Sequence, residues 1–155
     1  MPVTWGANPA RDFMITLKQL FYFLLLITGC WACGEETDAP LIPNVLVNEQ
    51  INLTNIQYNA LRRDNGYVYL PNTGVKGIIL MHRTGDTYLA FERNCPYKPF
   101  DDCALVTVDA SGFFMQDTCC QSVFDLNGYV TGGPSPYPLK QYATSLSGNL
   151  LYINN

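Results

Sequence analysis

The chain has 155 residues, long enough for one domain and short for two. Apolar residues make up 48% and charged ones 14%, which excludes a disordered chain and fits a compact β-rich domain. Lysine and arginine number 9 against 13 acidic residues and form no cluster, so nucleic-acid binding, which depends on basic patches that neutralise phosphates, is excluded.

The first element in chain order is a processing signal. From Met14 the sequence reads MITLKQLFYFLLLITGC, with Lys18 as positive flank and Leu20 to Ile27 as a short apolar core. Such a run is too short to span a bilayer and has the form of a secretory signal, so residues 1–29 are assigned to a signal peptide. Residues 1–13 add nothing that a signal requires, which points to Met14 as the initiator. Ile27-Thr28-Gly29-Cys30 resembles the bacterial lipobox, in which small residues precede a cysteine that is acylated. That resemblance implies lipid attachment at Cys30, export, and an envelope location, the outer membrane where a cell has two. Export also implies an oxidising compartment in which cysteines pair. Residues 30–44 are polar and proline-bearing and read as a tether. Cys33 lies in it without an evident partner.

From Val45 to Asn155 the chain is a succession of short strand-like runs punctuated by turns. VLVNEQINL leads into an irregular stretch to Arg63, and Asp64-Asn65-Gly66 turns into YVYLP. KGIILMH and TYLAFER are joined at Thr84-Gly85-Asp86, and ALVTVD and FFMQD at Ala110-Ser111-Gly112. VFDL and YV flank Asn127-Gly128, a strong two-residue hairpin signal because both residues tolerate positive φ. QYATSL and LLYIN meet at Ser147-Gly148-Asn149. No run has helical periodicity, so the expected class is all-β, a single antiparallel sandwich or barrel over residues 45–155. Tyr67, Tyr69, Tyr88, Phe91, Phe113, Phe114 and Tyr129 read as its core and sheet faces.

The stretch DTCCQSVFDLNGYVTGGPSPYPLKQY, Asp117 to Tyr142, resembles the second half of a Rieske iron–sulfur domain. In that family a first loop carries C-x-H and a second C-x-x-H, followed by S-x-F-D, a glycine hairpin and a proline-rich loop. Ser122-Val123-Phe124-Asp125, Asn127-Gly128 and Gly133-Pro134-Ser135-Pro136 match the later blocks, and TYLAFERNCPY resembles the strand that delivers the first loop. The resemblance implies a Rieske-like sandwich with a two-loop tip.

Carried over residue by residue, the family's cluster ligands fall on Cys95, Tyr97, Asp117 and Cys120, where the family has cysteine, histidine, cysteine and histidine. A phenol with a pKa near about 10 poorly replaces imidazole, and a hard carboxylate poorly replaces a thiolate. The chain's one histidine, His82, falls in a strand-like run outside both loops. No cofactor is therefore expected, with a 2Fe–2S cluster as the competing reading. The resemblance instead implies two disulfides, Cys95–Cys120 and Cys103–Cys119, since family members often bridge the loops and Cys119 immediately precedes the second histidine position. Four cysteines allow two further pairings, Cys95–Cys119 with Cys103–Cys120, and a vicinal Cys119–Cys120 bridge with Cys95–Cys103.

Other constellations are thin. Asp101 and Asp102 with Asp117 read as an acidic loop more readily than a calcium site, and Lys98 is the cation expected near the tip. Tyr97, Phe100 and Tyr137 lie on or beside the tip loops and are the candidate contact surface for an envelope protein partner. No nucleophile elbow, P-loop or HExxH occurs, so the sequence favours a non-catalytic role. Three readings stand: a lipid-anchored, cluster-free binding or assembly module, an electron carrier with unusual cluster ligands, and a thiol–disulfide protein.

Overall fold

The computed structural model describes residues 42–155. The predicted signal peptide, the lipid-attachment residue Cys30, Cys33 and nearly all of the tether lie outside the described residues. The described part is all-β: β1 (Asn48–Asn52), β2 (Tyr67–Leu70), β3 (Ile78–His82), β4 (Tyr88–Glu92), β5 (Val106–Val108), β6 (Met115–Asp117), β7 (Ser122–Phe124), β8 (Val130–Gly132), β9 (Gln141–Ser147) and β10 (Leu150–Asn154). The stretch that read as irregular contains a 3-10 helix, Ile56–Arg62, which buries Leu61 alone. Every hairpin marked by turn residues in the sequence forms, because each has a residue that accepts the left-handed backbone at its tip.

Two antiparallel sheets result. One has six strands in the order β1-β10-β9-β4-β3-β2, the other four in the order β5-β6-β7-β8. All five residues of β3 are buried, and its two faces serve two cores. Ile79 and Met81 join Phe91 of β4 with Val106, Val108, Met115 and Phe124 from the four-stranded sheet. Ile78 and Leu80 pack with Ala90, Tyr142, Leu151, Ile153 and Ile51 from the other strands of their own sheet. A sheet that contacts its own distant strands in this way is curled, which explains why IILMH is a continuous apolar run rather than an alternating one.

Two of the aromatics assigned to the core are not in it. Phe113 is 80% exposed and Tyr129 is 64% exposed. Both flank glycines at hairpin tips, so the local turn, not strand alternation, sets their direction. Gly128, next to Tyr129, has φ of +83°, and a Cβ there would lie 2.7 Å from the Phe91 ring. That turn is thereby pressed onto the core.

Candidate functional site

Two loops and a lid make one end of the four-stranded sheet. The first loop, residues 93–105, leaves β4 and returns as β5, closed by a bridge between Asn94 and Leu105. Glu92, fully buried at the end of β4, fixes its start: its carboxylate accepts hydrogen bonds from the N–H groups of Val75 (2.7 Å), Lys76 (2.9 Å) and Asn94 (3.1 Å) and from the Tyr142 hydroxyl (2.7 Å). Burial, then the hydrogen bond to Glu92 and its charge, push the Tyr142 phenol well above its usual range. Lys76 reaches across from the β2–β3 connection, its ammonium donating to the carbonyls of Asp101 and Ala104. The sequence pointed to Lys98 as the tip cation; its Nζ lies 5.5 Å from the Tyr97 ring centroid, while Lys76 ties the loop down.

The second loop is the tight connection Thr118–Gln121 between β6 and β7. Asp117 shapes it by accepting from the N–H groups of Cys119 (2.7 Å) and Cys120 (3.4 Å) through Oδ1. Gln121 closes the turn in the left-handed region, at φ of 63°. Above it runs the proline loop from Gly133. Its approach requires glycine: at φ of +83°, a Cβ on Gly133 would stand 2.3 Å from the Gln121 carbonyl oxygen. The Ser135 N–H donates to Ser122 Oγ at 3.1 Å, and Ser122 Oγ also accepts from the Cys120 thiol at 3.1 Å. A serine in a run resembling S-x-F-D thus holds the lid and orients a cysteine, a role its sequence position alone does not reveal.

Cys103 and Cys119 are joined as a disulfide across a sequence separation of 16, linking the two loops. Cys95 and Cys120 are thiols. Their sulfurs approach to 3.3 Å, a hydrogen-bond contact well outside the bond length of about 2.05 Å, so the Cys95–Cys120 bridge implied by the resemblance is not formed in this structure. Cys95 is fully buried, and that burial pushes its thiol up to about 12, with the neighbouring Cys120 thiol and Asp117 carboxyl adding to the effect and the Tyr97 N–H countering it.

Asp117 is also fully buried, and its Oδ2 has no hydrogen-bond partner among the described residues. The two sulfurs and a carboxylate oxygen of Asp117 all lie within 4.8 Å of one another. Of the four family ligand positions, Cys95, Asp117 and Cys120 therefore converge. Tyr97, at the remaining position, is half-buried against the same core. Asp101 and Asp102 are exposed and lie outside that group. Phe100 is 71% exposed, and Tyr137 of the lid is also exposed.

His82 is remote. Its ring nitrogens contact the carbonyls of Arg63 (3.2 Å) and Gly85 (2.7 Å), and its ring stacks on Tyr88. It pairs with Tyr88 at the closed end of the β3–β4 hairpin, whereas Ile78 pairs with Glu92 at the open end from which the first loop departs. Four strand steps, about 13 Å, separate those ends.

No family model matches the chain, and no curated protein matches it. Among solved structures it is similar to the crystal structure of the cyanobacterial plasma membrane Rieske protein PetC3 from Synechocystis PCC 6803, at 18% identity and a TM-score of 0.49, covering 72% of this chain and 100% of that one.

Proposed function

We propose that this chain is a lipid-anchored envelope protein with a Rieske-like β-domain whose tip holds no iron–sulfur cluster and serves as a non-catalytic binding or assembly module. The observation that carries this reading is the position of His82, its ring nitrogens facing backbone carbonyls at the hairpin end away from the tip. A Rieske cluster takes two histidines and two cysteines on two irons. The tip offers three converging donors, of which one is a carboxylate, and its remaining family position is a phenol. That set does not fit the cluster. The Cys103–Cys119 disulfide supplies a covalent link between the two loops.

Thiol–disulfide exchange is disfavoured by the burial of Cys95, which raises its thiol above the ordinary range and so works against the thiolate that exchange requires. The exposed Phe100 and Tyr137 supply the aromatic contact surface for a protein partner. Among the described residues no helix is long and apolar enough to cross a membrane; in this reading the attachment is lipid on Cys30.

The visible spectrum of anaerobically purified protein tests the cluster-free tip, and cell fractionation tests the anchor. The expected results are a colourless protein and release of the chain from the membrane fraction by Cys30→Ser. Charge-transfer bands that bleach on dithionite reduction would overturn the first statement. Unchanged fractionation of Cys30→Ser would overturn the second.

A further inference from the structure

We propose that Cys95, Asp117 and Cys120 form a site for a single soft divalent cation of the zinc class, standing where the family has a two-iron cluster. This rests on the cluster-free reading above. A tetrahedral zinc with Zn–S bonds of about 2.3 Å and Zn–O bonds of about 2.1 Å holds its donors roughly 3.6–3.8 Å apart. The donors lie within 4.8 Å of one another, with the sulfurs at 3.3 Å. To reach the tetrahedral spacing the sulfurs open by about half an ångström and the Asp117 oxygen closes by at most about 1.2 Å, within reach of side-chain rotation. Two irons bridged by sulfide would instead need donors divided between two centres.

The second observation is Asp117 itself. A fully buried carboxylate oxygen without a protein partner is costly, and a bound cation beside the two sulfurs would satisfy it. Its other oxygen is already occupied by the N–H groups of Cys119 and Cys120, which fixes the carboxylate in the donor cluster. The surroundings are those of an oriented site: Ser122 Oγ contacts the Cys120 sulfur, and the Ser135 N–H holds that serine in turn. Cys120 is half-buried and gives the ion an entry path, while Cys95 closes the inner side. Binding one M2+ replaces the two thiol protons, which pass to solvent, and no electron is transferred. Three protein ligands leave a fourth position for water.

The test is cobalt and zinc titration of the anaerobically purified full chain, without reductant so that the Cys103–Cys119 bond is kept. One equivalent of Co2+ should give thiolate-to-cobalt charge transfer and the visible bands of a tetrahedral ion, and one equivalent of Zn2+ should displace it. Cys95→Ser and Cys120→Ser should each roughly halve the thiolate absorption. Asp117→Asn keeps an oxygen for the Cys119 and Cys120 N–H groups but loses the anionic donor; it should weaken zinc at least about tenfold while unfolding normally without metal. No metal uptake by iron-free protein with Cys95 and Cys120 open to alkylation on unfolding would overturn the proposal alone. A Cys95–Cys120 disulfide found by peptide mapping would also overturn it. Iron with stoichiometric sulfide would instead overturn the cluster-free reading on which it rests.

Discussion

Glu92 shows how a single side chain sets up the tip. Three backbone N–H groups and one hydroxyl converge on its buried carboxylate, tying the β2–β3 connection, β9 and the start of the first loop to the end of β4. Removing it would leave four donors without their acceptor, the Asn94 N–H and Tyr142 hydroxyl buried and the Val75 and Lys76 N–H groups part-buried. Glu92→Ala is therefore expected to cost about 3 kcal/mol or more, read as a lower denaturant midpoint with little change in slope. Stability within about 0.5 kcal/mol of the parent would show that water replaces the carboxylate. Nothing in TYLAFER marks this glutamate, since a charged residue in a strand ordinarily faces solvent. It is legible only once the curled sheet buries both sides of the strand. The reverse holds for His82, which the sequence placed in a strand-like run away from the loops and which lies there.

Among elements, the hairpins were the most legible part, because turn chemistry is local: Asn, Asp and Gly at fixed positions accept the backbone a reversal demands. The 3-10 helix at Ile56–Arg62 was illegible for the same reason in reverse, having no side-chain cap, no acidic first turn and one buried residue. The lid belongs to this scale as well. Gly133→Ala would force a methyl group against the Gln121 carbonyl at an unfavourable φ. Its expected cost is about 1–3 kcal/mol, together with faster alkylation of Cys120 as the Ser135–Ser122 contact loosens. Unaltered alkylation in that variant would mean that the lid does not shield the donor cluster.

At the scale of the whole molecule, the all-β class was readable from strand spacing, but the strand order was not. β1 pairs with β10, Asn48 opposite Asn154, and no local pattern announces a contact between the two ends of the domain. The candidate site was readable in part: the motif resemblance brought Cys95, Asp117 and Cys120 into view, whereas the unpartnered oxygen of Asp117 emerges only from three-dimensional burial. The Cys103–Cys119 bond holds the tip loops in register. For a loop of this length the chain-entropy model gives about 3 kcal/mol, so the Cys103→Ser, Cys119→Ser double variant should unfold at clearly lower denaturant. Equal midpoints for the two proteins would show that the packed loops need no clamp.

In the proposed function the scaffold holds its tip together without an iron–sulfur cluster. Iron and acid-labile sulfide analysis of the anaerobically prepared full chain tests it most directly. The expected result is far less than one iron per chain and no labile sulfide. Two irons with two sulfides per chain would contradict it.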